Sequence, residues 1–196
     1  VGSATARILQ VHGARVVAVS DHAGTVADED GIDAFELTDW VRERGSVAGF
    51  PGGMWIDTDD FWAVPADIVI PAALENQITA DNVGRIQAKV IVEAANGPTT
   101  LEAEEMLTAR GVEILPDILV NAGGVIVSYF EWVQNRSAQR WSLDDVDYKL
   151  REVLWRACDA VVEARRDYEV DSRRDAAYAV ALSRLQTVYR QRGIFP

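Results

Sequence analysis

The stretch Pro116 to Asn135, PDILVNAGGVIVSYFEWVQN, decides the fold. Ile118-Leu119-Val120 is an apolar run expected to be a strand, and the polar break Asn121-Ala122-Gly123-Gly124 ends it. From Gly124 to Ser137 the pattern predicts a helix. An amide and two glycines at a strand-to-helix handover mark the carboxyl end of a strand, where open α/β sheets bind their ligands. The same kind of break recurs at Pro71-Ala72-Ala73-Leu74-Glu75-Asn76 and at Ala94-Ala95-Asn96-Gly97-Pro98. Three strands are therefore expected to end in an Asn-bearing turn aimed at one ligand.

Outward from these turns, strand and helix patterns alternate. A helix is expected over Val1–Ala14, closed by His12-Gly13, and a strand over Arg15–Val19 ending in Ser20-Asp21. A turn-rich segment (Asp28–Gly31) leads to a helix from about Ile32 to Arg44, stopped by Gly45. A short helix (Asp57–Val64), a strand (Asp67–Ile70), a helix capped by Thr79 and running to Ala88, and a strand (Lys89–Ala94) follow. Thr99-Thr100-Leu101-Glu102 reads as a capping box for a helix that ends at Gly111. This rhythm predicts an α/β fold with a Rossmann-like, doubly wound, mainly parallel sheet whose buried strands are apolar on both faces. Two long C-terminal helices stand outside the rhythm. One opens at the capping box Ser142-Leu143-Asp144-Asp145 and runs to about Glu169; the other runs from about Ser172 to Arg192 and is closed by Gly193. The expected division is a nucleotide-binding domain over 1–139 and a helical appendage over 140–196, packed on that domain.

The formal charge of −12 argues against a nucleic-acid backbone or an anionic membrane as partner. No apolar run reaches the roughly 18 residues of a membrane span, and the chain opens without a signal segment, so the expected location is the cytoplasm. The single cysteine, Cys158, is expected as a buried, inert thiol on a helix. Lys89 and Lys149 are the only lysines, and neither sits in a glycine-rich context. Both are expected to serve solvation and surface ion pairing. His22 is expected as a solvated loop residue.

The opening Val1-Gly2-Ser3 enters a helix directly, whereas a dinucleotide fold begins with a strand, then G-x-G-x-x-G, then that helix. Gly2 fits the last glycine of the fingerprint. Asp21 lies at about the spacing expected of the acid that binds the adenosine ribose. The sequence thus reads as starting inside a fingerprint whose first strand would lie upstream, at the centre of the sheet. Its two neighbours would then expose unpaired edges. Asn76, Asn96 and Asn121 carry amides that donate and accept together, which suits a ribose diol or a carboxamide. The small Ala72, Ala73, Ala94, Ala95 and Ala122 leave room for a flat ligand. A bland alternative stands beside this: each Asn is a turn residue tolerating left-handed backbone.

PAALENQIT (Pro71 to Thr79), AKVIVEAANGPTT (Ala88 to Thr100) and LPDILVNAGGVIVSYFEWVQN (Leu115 to Asn135) resemble the cofactor domain of the glutamate, leucine, phenylalanine and valine dehydrogenases. RVVAVSD (Arg15 to Asp21), GSVAGFPGG (Gly45 to Gly53) and RGIFP (Arg192 to Pro196) fit as well. The resemblance implies roles for single residues. Gly2 matches the last fingerprint glycine and Asp21 the acid at the adenosine ribose. Ala72, Ala73 and Asn76 match the cofactor-facing turn. Asn96 matches the residue near the nicotinamide ribose, and Asn121 the amide near nicotinamide and substrate. Ser128 matches a serine that meets the substrate's distal carboxylate, which favours glutamate over branched or aromatic substrates.

The resemblance further implies NAD as cofactor, with NADP possible, because Asp21 would repel a 2′-phosphate. It implies L-glutamate and 2-oxoglutarate as partners, held together with a substrate domain that precedes this one in the family and supplies the catalytic lysine. The parent enzyme is expected to be a homo-hexamer, and this chain alone to be inactive. Two other readings compete: a sister leucine, phenylalanine or valine dehydrogenase, and a non-catalytic nucleotide-binding module.

Overall fold

Glycine and capping residues set most element boundaries in the computed structural model, which describes residues 1–193. The part of the RGIFP match at 194–196 lies outside the described residues. The chain divides into two compact units, Val1–Glu113 and Ile114–Pro196.

In the first unit, helix α1 (Gly2–Val11) leads to strand β1 (Ala18–Asp21). Strand β2 (Gly24–Ala27) pairs antiparallel with β1, and β3 (Met54–Ile56) pairs antiparallel with β2. This hairpin departs from the expected parallel rhythm. Its cause is local: Asp21 turns the chain by accepting from the Ala23 N–H at 2.8 Å. Gly24 then takes φ +146° directly against the Trp55 ring, leaving no space for a side chain. Helix α2 (Ala34–Arg44) is capped by Asp33, which accepts from the Phe35 and Glu36 N–H groups, and ends in Gly45 at φ +84°. Its apolar face joins Val26, Ile32, Leu37, Val47 and Phe50 in one core. The expected short helix is a 3-10 helix, Thr58–Ala63, with Asp57 as its cap.

A second sheet has the order β4 (Ile68–Val69), β5 (Val90–Val92), β6 (Glu113–Leu115). β4 and β5 are parallel, and the Glu113 N–H donates to the Lys89 carbonyl at 2.9 Å. The α/β class with parallel pairing is thus present. The expected helix over Thr79–Ala88 is absent. Thr79 does not cap; its own N–H donates to Asn82 Oδ1 at 2.9 Å, and only Val83–Arg85 makes a 3-10 turn. Arg110 holds that loop by donating to the Val83 and Ile86 carbonyls. Helix α3 (Leu101–Ala109) starts one residue later than read, with Thr100 rather than Thr99 as its cap.

The second unit is helical after β6. Ile118-Leu119-Val120, expected as a strand, lies in a single turn of helix, α4 (Asp117–Val120). Pro116 supplies the extended residue before it and Asp117 accepts from the Ile118 N–H at 2.8 Å. Helix α5 spans Ala122–Ser137. Helix α6 (Leu143–Asp167) has the full reciprocal capping box between Ser142 and Asp145. Helix α7 (Arg173–Arg192) is capped by Ser172. Val161, Ala164, Ala176 and Ala177 form the α6–α7 core, with Leu119 packed against it. Asp117 and Arg174 close this core with an ion pair at 2.6 Å, each side chain less than a fifth exposed. Cys158 lies exposed on α6, so the expected burial of its thiol is corrected. No helix among the described residues is long and apolar enough to cross a membrane.

Candidate dinucleotide site

In the first unit the site begins where α1 begins. Gly2 is the first helical residue, and no side chain caps this end. The leading N–H groups of a helix have no intrahelical acceptor and favour an anion. A Cβ placed on Gly2 would meet the Ala72 Cβ at 3.8 Å. Gly2, Ala72 and Ala73, read separately from the sequence, thus border one cleft of about 480 Å³. Its walls are mainly apolar and include Ala6, Leu9, Val19 and Val69.

The two polar turns of this unit are joined through their backbones. The Asn76 N–H donates to the Gly97 carbonyl at 2.9 Å, and the Gln77 and Ile78 N–H groups both donate to the Pro98 carbonyl. Asn76 adopts φ +53°. The bland reading of an Asn tolerating left-handed backbone is therefore correct for its main chain, while its exposed side chain is left clear of the turn. Asn96 is also exposed, next to Gly97 at φ +50°. The Ile78–Thr99 bridge continues the parallel pairing beyond β4 and β5.

Asp21 is the last residue of β1, and its carboxylate is already engaged. Oδ1 accepts from the Ala23 N–H and Oδ2 from the Val47 N–H, each at 2.8 Å. It fixes the hairpin turn and the loop after α2 in relation to each other. This scaffold role was not visible in spacing alone; the Asp-x-Ala-Gly turn was its only local signal. His22 is exposed in the same turn, as expected.

In the second unit, Asn121 does not end a strand. It lies between α4 and α5, with its N–H donating to the Asp117 carbonyl at 3.0 Å. Ser128 is exposed on α5 and does not bond back to its own helix. Ser137, by contrast, donates to the Val133 carbonyl at 2.7 Å. The Ser128 hydroxyl is thus available to a ligand. Lys89 makes an exposed pair with Asp67 at 3.6 Å, and the Lys149 ammonium lies 4.9 Å from the Trp141 ring centre. No group of three or more potential metal ligands occurs among the described residues.

The sequence model for Glutamate/Leucine/Phenylalanine/Valine dehydrogenase matches residues 1–193. The glutamate dehydrogenase of Thermotoga maritima is 45% identical over 189 residues, covering 96% of this chain and 45% of the relative. NADP-specific glutamate dehydrogenase A1 of Halobacterium salinarum is 43% identical over 196 residues, covering all of this chain and 47% of the relative. Among solved structures, the hetero-hexameric glutamate dehydrogenase of Thermus thermophilus in its leucine-bound form superposes with a TM-score of 0.92 at 31% identity. It covers all of this chain and 46% of that one. The chain spans about half the length of the relatives it matches. The chain belongs to the Glutamate/Leucine/Phenylalanine/Valine dehydrogenase family.

Proposed function

We propose that this chain is the cofactor-binding part of an NAD(P)-dependent glutamate dehydrogenase, in which residues 1–139 hold the dinucleotide and 140–196 form a helical appendage. The observation that supports this reading is that Gly2, at the start of α1, lines one cleft with Ala72 and Ala73. The α1 amides would receive the diphosphate. Asn76 and Asn96, on turns tied by the Asn76–Gly97 hydrogen bond, would receive hydroxyls of the nicotinamide-side ribose. Asp21 would meet the adenosine ribose with the lone pairs left over from its two backbone bonds. That arrangement favours NAD, since a 2′-phosphate would lie against a carboxylate.

Bound NAD(P) accepts hydride from the α-carbon of the amino acid; the protein binds, orients and excludes water. In this reading Asn121 orients the carboxamide, and Ser128 donates its hydroxyl proton to the substrate's side-chain carboxylate. Neither lysine has the surroundings of a general base, because one is ion-paired at the surface and the other lies over an indole. Proton transfer and most substrate clamps therefore belong to a further part of the longer protein, as does the hexameric assembly. A spectrophotometric assay with L-glutamate and NAD or NADP tests this division. The reading requires no turnover by this chain alone and turnover by the longer protein. Glutamate-dependent reduction by this chain alone would overturn it.

A further inference from the structure

We propose that the Trp55 indole is the surface on which the adenine base of a bound dinucleotide stacks, which makes β3 part of the site although β2 separates it from β1. The strand register places the ring. Asp21 pairs with Gly24 across the β1–β2 hairpin, and Val26 pairs with Trp55 across β2 and β3. Cross-strand partners share a face of the sheet, and so do residues two apart on one strand. Asp21, Gly24 and Trp55 therefore stand on one face.

Trp55 does not stand upright over its own partner. Its six-membered ring leans along the sheet onto Gly24, where an added Cβ would fall 2.1 Å from Cζ2 and 2.2 Å from Cη2. Gly24 is buried beneath it, while Trp55 keeps 52% of its surface open. Gly24 is the residue directly opposite Asp21, and neighbouring strands are about 5 Å apart. The open ring and the Asp21 carboxylate are thus neighbours, joined by the exposed turn residues His22 and Ala23.

That spacing fits a nucleoside. The base of a nucleoside is bonded to the ribose carbon next to the one that carries the 2′-hydroxyl. A ribose whose diol meets Asp21 therefore puts its base about one strand spacing away, where the indole is. Ser20, the residue before Asp21, lines the cleft with Gly2 and Ala72, so one ligand would run from the α1 amides to the indole. An aromatic ring laid on a cross-strand glycine also shields the sheet, and shielding alone would account for the Gly24 contact. The rest of the indole stays open to a planar ligand, and stacking of a base on an aromatic side chain changes affinity by about tenfold or more. This inference rests on the dinucleotide reading of the same site, and its test separates the two.

The test is a calorimetric and fluorescence titration of this chain with NAD and, separately, with AMP. The native chain is expected to lose tryptophan fluorescence on binding either ligand. Trp55→Phe keeps an aromatic ring on Gly24, so it is expected to bind both with nearly native affinity but without the quench. Trp55→Leu keeps an apolar cover and no ring, so it is expected to bind both about tenfold more weakly. The Trp55→Phe result decides even if the Trp55→Leu chain does not fold. A quench that persists in Trp55→Phe, or native affinity in Trp55→Leu, would overturn the proposal and leave the dinucleotide reading in place. A native chain that binds neither ligand would overturn the dinucleotide reading and the proposal with it.

Discussion

The Asp21 carboxylate accepts from the Val47 N–H at 2.8 Å across the first unit, while its other oxygen holds the Ala23 N–H. One side chain thus ties the end of β1 to the loop after α2. Removing it leaves two amides without their charged acceptor, so Asp21→Ala should cost about 2 kcal/mol of stability. Urea unfolding checks this. An unchanged midpoint would show that these two hydrogen bonds do not hold the scaffold together.

Ser128 predicts the opposite pattern. It is exposed and makes no bond to its helix, so Ser128→Ala should change stability by less than about 0.5 kcal/mol. In the longer glutamate dehydrogenase proposed above, the same change should lower kcat/KM for glutamate by at least about tenfold, the worth of one hydrogen bond to a carboxylate. Steady-state kinetics with glutamate and with leucine separates the two effects. An equal loss on both substrates would remove Ser128 from the recognition of the distal carboxylate.

The legible parts of the sequence were those with a local cause. Ser142 and Asp145 cap α6 reciprocally, Gly45 closes α2, and the Gly2, Ala72 and Ala73 positions meet at one cleft. What failed to read locally was decided by neighbours. Ile118-Leu119-Val120 is too short for periodicity to separate strand from helix, and Pro116-Asp117 starts a helical turn instead. The segment after Thr79 looks helical in isolation, yet Asn82 and Arg110 bind its backbone as a loop. The β1–β2 hairpin was hidden because Gly24-Thr25-Val26-Ala27 is short. One of its restraints, Asp21 to Val47, spans 26 residues.

Asp33 gives α2 a pH dependence. Hydrogen bonds from the Glu36 and Phe35 N–H groups hold its carboxyl below the ordinary aspartate value of 3.8. A depressed pKa in the folded state contributes stability above the unfolded value and loses it as pH falls through the folded value. The stability difference between the native chain and Asp33→Ala should therefore be full at neutral pH and shrink on acidification below about pH 4. Thermal melts of both chains over a pH series measure it. A difference that stays constant into strong acid would contradict this cause.

The Asp117–Arg174 pair is largely shielded from solvent and joins α4 to α7. Removing one partner takes the opposite charge away from a largely shielded group, so Arg174→Met should cost more than the joint change Arg174→Met with Asp117→Leu. The single loss is expected to be about 2 kcal/mol, below that of a fully buried pair. A double-mutant cycle by urea unfolding reads the coupling. Additive losses would show that the pair does not act as a unit.

The central claim is that the Gly2–Ala72 cleft mouth and the tied Asn turns form a dinucleotide site. Thermal unfolding of this chain, titrated separately with NAD and NADP, tests it most directly. Ligand at 100 times its dissociation constant should stabilise the chain by about 2.7 kcal/mol. The account predicts a saturable shift that is larger with NAD and lost in Ala72→Arg. A chain that unfolds cooperatively and shifts with neither cofactor would contradict it.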